Sequence, residues 1–166
     1  MSGGGENRNR PAAVDALIAA TPVIFAGGIG NLATIPNIPT WYAGLVRPPL
    51  TPPNWVFGPV WTLLYLLMAI ALYRVVRLDS GAPGRSRALG VFMAQLALNA
   101  AWSFAFFGAH SPALGLLTIA PLLGLIVWTI FLFRPLDLIA ARCLLPYAAW
   151  VCFATYLNIG FLWLNS

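Results

Sequence analysis

The sequence predicts an all-α integral membrane protein, a bundle of five transmembrane helices. Three observations carry that prediction. Hydrophobic residues make up 60% of the 166-residue chain and charged residues only 8%, whereas an ordinary soluble domain carries about 25% charged residues. Five apolar segments can be drawn, each near the ~20 residues that a helix needs to cross a bilayer. Counting alternate sides of those segments, eight arginines fall on one side and only Arg47 on the other. That asymmetry is a positive-inside pattern, and it places the N-terminus in the cytoplasm if insertion is into a plasma membrane.

The expected spans are residues 13–33, 55–73, 88–107, 113–133 and 138–163. They lack the alternation of barrel strands, and helices are the other structure that satisfies every backbone group within lipid. Residues 1–11 read as a polar, Gly-rich tail, expected to be disordered, and residues 12–166 as one transmembrane domain. The first span follows Arg8 and Arg10 as a signal peptide would. Its apolar run exceeds the usual 7–15 residues, about the length of an h-region, so it is expected to be retained. Gly27, Gly28 and Gly30 allow another helix to approach it closely. It is expected to end near Pro36. Thr51 as N-cap and Pro52 at the first helical position are a start signal for the second span.

The loop between them is the most unusual segment. From Trp41 to Tyr65 it places five prolines among three tryptophans, two tyrosines and Arg47, and runs directly into the second helix. Between two membrane helices this composition predicts a stiff aromatic lid over a cavity.

The third span has two faces. Gln95, Asn99, Trp102 and Phe106 share one stripe, and Gly90, Ala94, Ala97, Ala101, Ala105 and Gly108 share the opposite one. The small stripe suits either internal packing or a homodimer interface. Because the other stripe faces the bundle, the dimer is favoured. Amides at membrane depth need partners and usually point inward. They serve either helix-to-helix hydrogen bonds or a ligand. Phe57, Trp61 and Tyr65 line one face of the second helix; Tyr147, Trp150, Ala154 and Asn158 line one face of the fifth. Trp41, Tyr42, Trp55 and Trp163 fit an interfacial belt. Trp61 and Trp150 lie inside their spans and fit it less well. Three such stripes imply a shared cavity for a flat, largely apolar ligand with a few polar atoms.

Other functions lose support. No acidic residue lies deep in a span, which argues against a proton-coupled pump. No metal-ligand cluster, catalytic triad or phosphate loop is present, Ser103 has no neighbouring base, and His110 reads as a solvated turn residue. The arginines are scattered between apolar runs, so nucleic acid is not an expected partner whereas membrane lipid is. Cys143 and Cys152, placed on one helix, would stand about 13 Å apart along its axis, too far for a disulfide.

Several motifs together resemble the translocator protein family, also called peripheral benzodiazepine receptors and, in bacteria, tryptophan-rich sensory proteins. They are Trp41-Tyr42, Arg47-Pro48, Pro52-Pro53, Pro59-Val60-Trp61-Thr62, Gln95-Leu96-Ala97-Leu98-Asn99 with Trp102, Phe106-Phe107-Gly108, Leu145-Pro146-Tyr147-Ala148-Ala149-Trp150 and Leu157-Asn158. The resemblance implies a five-helix, commonly dimeric bundle that binds porphyrins such as protoporphyrin IX or haem, and drug-like isoquinoline and benzodiazepine ligands. It implies no obligatory cofactor and no metal. It maps the pocket onto Tyr42, Trp61, Asn99, Trp150 and Ala154, with Trp55, Phe57, Tyr65, Gln95 and Trp102 around them; the stripe on the fifth helix adds Tyr147 as a candidate ligand contact. Trp61 and Trp150 match tryptophans associated with light-dependent porphyrin breakdown in some bacterial members. Animal members carry a sterol-recognition tyrosine and arginine where this chain has Ile159 and Trp163, which argues against tight sterol binding. The leading expectation is a membrane sensor and binding protein for tetrapyrroles, the ligand entering beneath the first loop. A transporter, or a photochemical porphyrin-degrading activity, is the alternative.

Overall fold

A computed structural model describes residues 10–166. The remainder of the expected tail, residues 1–9, lies outside the described residues. Six α-helices form among the described residues: α1 (Ala12–Asn37), α2 (Asn54–Val76), α3 (Arg85–Ser103), α4 (Pro112–Phe133), α5 (Leu138–Cys143) and α6 (Leu145–Leu164). A π-turn at Phe104–Gly108 extends α3, and α5 with α6 makes one span, so five apolar segments are long enough to cross a membrane. The described residues contain no strand.

The helices close into a ring. α1 packs between α2 and α3, α4 between α3 and α6, and α5 against α2. Lipid tails are as apolar as leucine, so close packing by small residues draws such helices together. Two glycines of α1 show how. A Cβ at Gly27 would lie 2.9 Å from the Tyr65 ring, and one at Gly30 would lie 3.0 Å from Ser103 Oγ. Gly28 faces open space. The expected close approach therefore holds at Gly27 and Gly30 and not at Gly28.

Four sequence expectations need correction. α1 runs through Pro36 to Asn37, because Thr34 and Asn37 donate back to the Gly30 and Ala33 carbonyls and complete its last turns. α2 starts at Asn54 with Pro53 before it; Thr51 does not cap it, since its hydroxyl donates to the Pro48 carbonyl at 2.6 Å. The last span is not one helix. It breaks at Leu144, ahead of Pro146, whose ring nitrogen has no hydrogen for the carbonyl one turn back. Cys143 and Cys152 thus lie on either side of the break, and both are free. Finally, α3 ends in a π-turn, where Ala109 N–H donates to Phe104 O at 2.7 Å and Ser111 N–H to Phe106 O at 3.2 Å. The wider turn rotates Phe106 and Phe107 together into the bundle, so both are buried.

The arginine-rich end is tied by ion pairs. Asp137 caps α5 through Ala140 N–H and meets Arg74 at 2.9 Å. Burial pushes its carboxyl up, but the Arg74 and backbone hydrogen bonds and the Arg74 charge outweigh that and hold it below the usual carboxylate range. Asp15 is buried between Arg10 at 3.6 Å and Arg77 at 4.0 Å. Arg85 donates to the Val75 and Val76 carbonyls and so closes the end of α2.

Candidate functional site

The other end holds a cavity of about 420 Å³, within the ~300–1,000 Å³ typical of small-molecule sites. Its walls are the last turns of α1, the first half of α2, the last part of α3 and the middle of α6. α2 packs on α5 at the arginine-rich end, and the cavity lies between its other half and α6.

Asn99 forms the floor. Its Oδ1 accepts from Tyr65 Oη at 2.9 Å and its Nδ2 donates to Tyr147 Oη at 3.1 Å. An amide offers two hydrogens and two lone pairs, so one N–H and one lone pair remain for a ligand. Trp61 stacks obliquely on Tyr65, with ring centroids 5.5 Å apart. Trp150 is set edge-on against Phe57 at 5.9 Å. Ala154, one turn on from Trp150, keeps that wall thin.

Trp102 lines the opposite wall with its ring alone, because its indole N–H donates to Asn158 Oδ1 at 3.1 Å. Asn158 in turn donates to Pro112 O at 2.7 Å and joins α6 to the start of α4. Tyr42 forms the roof, buried against Phe106, Phe107 and Phe161, with the Arg47 guanidinium 5.5 Å from its ring centre. Burial pushes its phenol up, and the Arg47 charge pulls only partly back. It therefore stays a neutral hydroxyl at physiological pH. Among the described residues, neither an acidic nor a basic side chain lines the cavity.

Of the sequence-predicted site residues, Tyr42, Trp55, Phe57, Trp61, Tyr65, Asn99, Trp102, Trp150 and Ala154 meet at this cavity. Two do not reach it. Tyr147 is fully buried behind Asn99 and meets the site through that amide and edge-on against Trp61, with ring centroids 6.3 Å apart. Gln95 lies one turn, about 6 Å, below Asn99 along α3, beneath the Tyr65–Asn99–Tyr147 layer. It is 1% exposed, and both of its amide atoms lack a hydrogen-bond partner. Trp55 lines the rim, 75% exposed. The sequence reading missed Asn31, Thr34 and Ser103, which also line the cavity. The signal was present: Asn31 is an amide within an apolar span, the argument that singled out Asn99.

Of the first loop, Ile38 and Tyr42 reach the cavity, and the stretch beyond them is clasped to α6. Val46 N–H donates to Asn165 Oδ1 at 2.8 Å, Asn165 Nδ2 donates to Val46 O at 3.0 Å, and Tyr156 Oη donates to Pro49 O at 3.1 Å. Pro48 sits where a Cβ on Gly160 would come within 2.5 Å of its ring. No residue from 43 to 53 lines the cavity, so the expected entry beneath the loop meets a clasped surface. His110 is exposed but engaged, stacked 5.0 Å from Trp41 and bonded to Asn37 at 2.7 Å.

The TspO/MBR family profile matches residues 18–164. The chain belongs to the TspO/MBR family. It is 40% identical over 152 residues to the tryptophan-rich protein TspO of Archaeoglobus fulgidus, covering 90% of this chain and 97% of that protein. It is 40% identical over 119 residues to the human translocator protein, covering 71% and 70%. It is 38% identical over 125 residues to the tryptophan-rich sensory protein of Cereibacter sphaeroides, covering 75% and 77%. Family membership and the five apolar helices make it an integral, multi-pass membrane protein.

Proposed function

We propose that this TspO/MBR protein is a membrane sensor that binds tetrapyrroles, protoporphyrin IX or haem, and isoquinoline- or benzodiazepine-type ligands in the cavity under the first loop. One observation carries the reading: aromatic rings from three helices and the loop surround a floor amide that keeps hydrogen-bonding capacity to spare. A flat macrocycle gains by stacking on Trp61 and Trp150. Its polar edge gains a bond at Asn99 or at the Tyr42 hydroxyl. The uncharged lining favours binding over coupled transport, because no group in it can carry a proton with the ligand. It also leaves no general acid or base for catalysis, so any porphyrin breakdown would depend on light and on Trp61 and Trp150. Ile159 and Trp163 are exposed on the outer surface of α6, and without a basic partner they form no tight sterol site.

The chain sits in the bacterial cell membrane with its N-terminus in the cytoplasm on this reading, the arginine-rich end inward. It pairs as a homodimer through α3, where Gly90, Ala94, Ala97, Ala101 and Gly108 are exposed and Ala105 is half-buried. Cysteine at Ala97, in a background lacking Cys143 and Cys152, then crosslinks two copies; monomers alone would rule that interface out.

The test of binding is to fill the cavity. Ala154→Leu projects three further carbons into it. The variant, in lipid nanodiscs, is expected to bind protoporphyrin IX at least about tenfold more weakly, a loss of about 1.4 kcal/mol, while Ile159→Ala on the outer surface of α6 binds normally. Equal affinity in both variants would remove the ligand from the cavity.

A further inference from the structure

We propose that the gap between α1 and α2 is the doorway by which a bilayer-dissolved ligand reaches the cavity, and that the Asn31 amide is its first polar station. The proposal rests on the binding reading above, and its test separates the two.

The cavity is closed above and open to one side. Above, Ile38 and the buried Tyr42 roof it over, and the loop beyond them is clasped to α6. Along α3 and α6, the lining residues Asn99, Trp102, Ser103, Phe107, Trp150 and Ala154 are all buried or half-buried. The exposed lining residues lie on the other two helices: Asn31 and Ile35 on α1, and Asn54, Trp55, Gly58 and Thr62 on α2. The opening therefore faces sideways between α1 and α2, toward lipid rather than toward water beyond the loop.

Asn31 makes the opening chemically specific. In the 26-residue α1 it lies about 10 Å from the helix midpoint at a rise of ~1.5 Å per residue. A centred helix then places it within the hydrocarbon layer, which is about 30 Å thick. The two threonine hydroxyls at the rim are already satisfied. Thr34 donates to the Gly30 carbonyl at 3.0 Å and Thr62 to the Gly58 carbonyl at 2.9 Å. The Asn31 side chain has no hydrogen-bond partner among the described residues. An unpaired amide facing hydrocarbon is unfavourable, and a passing carboxylate or carbonyl relieves that cost. The geometry thus favours a flat, mainly apolar ligand with a polar edge, dissolved in the membrane. Such a ligand slides in ring-first between Trp55 and Ile35 while Asn31 holds its edge.

A doorway sets rates rather than affinity. Protoporphyrin IX binding to the full chain in nanodiscs is followed by stopped-flow porphyrin fluorescence. Asn31→Trp and Thr62→Trp narrow the gap from either side, at exposed positions where folding is little affected. Leu32→Trp places the same ring on the lipid-facing side of α1, outside the cavity lining. In both doorway variants, association and dissociation are expected to slow together by about tenfold, a rate effect without an affinity effect, and Leu32→Trp keeps wild-type rates. Asn31→Leu, which keeps the width and removes the amide, slows both rates by a smaller factor. Wild-type rates in both doorway variants would overturn the proposal. So would a weakened Kd at unchanged association, which makes Asn31 part of the bound site instead. If the wild-type chain shows no saturable binding, the binding reading itself falls, and the doorway with it.

Discussion

Replacing Asn99 by alanine tests whether the cavity floor is a structural joint as well as a ligand contact. Asn99 is 3% exposed and links α2 to α6, accepting from Tyr65 and donating to the fully buried Tyr147. Alanine removes both bonds. Interhelical hydrogen bonds in membranes average about 0.6 kcal/mol each, so the pair contributes about 1.2 kcal/mol. Tyr147 also loses the amide that satisfies its hydroxyl, at a cost of about 1–3 kcal/mol. The expected destabilisation is the sum, about 2–4 kcal/mol. Tyr65→Phe removes one of the two bonds and leaves Tyr147 satisfied, so it costs only about 0.6 kcal/mol. The assay is reversible unfolding in mixed micelles of increasing SDS fraction, followed by circular dichroism. If Asn99→Ala is no more destabilising than Tyr65→Phe, the link to Tyr147 carries no stability and the reasoning fails. A practical consequence follows for binding studies. A loss of affinity in Asn99→Ala mixes fold and site, whereas Tyr65→Phe probes the site with the fold nearly intact.

Three further predictions concern packing and charge. A Cβ at Gly115 would lie 2.6 Å from Asn158 Oδ1 and 2.8 Å from Phe106 Cδ2, so Gly115→Ala should cost about 1–3 kcal/mol of overpacking in the same SDS titration; wild-type stability would show that α4 and α6 can separate freely there. Gly160→Ala presses a methyl group onto Pro48 and is expected to lift the first loop, read as faster proteolysis between Val46 and Thr51; an unchanged cleavage rate would mean that the clasp does not hold the loop. Asp137→Ala removes the cap on Ala140 N–H, worth about 1 kcal/mol. The Asp137 carboxyl is held low in the folded chain, so its stabilising effect is present at neutral pH and is lost as pH falls below the usual range of about 4. Thermal midpoints of wild type and variant should therefore differ at pH 7 and converge toward acid; a gap that is constant with pH would contradict this.

Much of this architecture is legible in the residues. Span positions follow from length and hydropathy, since lipid leaves the backbone little choice but helix. The cavity wall follows from helical spacing, which places Phe57, Trp61 and Tyr65 in one line and Asn99 with Trp102 in another. What escapes the sequence depends on competition between local signals. Thr51 resembles a cap, but a nearer carbonyl at Pro48 captures its hydroxyl. The break before Pro146 was readable, because proline removes a helical donor, yet the apolar run continues smoothly across it. The π-turn was not readable, since it arises from the need to bury Phe106 and Phe107 together against Tyr42 and Phe161. Gln95 shares a stripe with Asn99, but angular position alone does not give depth. One turn separates a cavity floor from the packed layer beneath it.

The most direct test of the account is a titration of intrinsic tryptophan fluorescence with protoporphyrin IX in nanodiscs, comparing wild type, Trp61→Phe and Tyr65→Phe. The cavity reading predicts saturable quenching in the wild type, a smaller amplitude without Trp61, and a weaker Kd at full amplitude without the Tyr65 hydroxyl. Linear quenching that never saturates and is the same in all three chains would mean that the porphyrin merely dissolves in the bilayer, and would contradict a binding site inside the bundle.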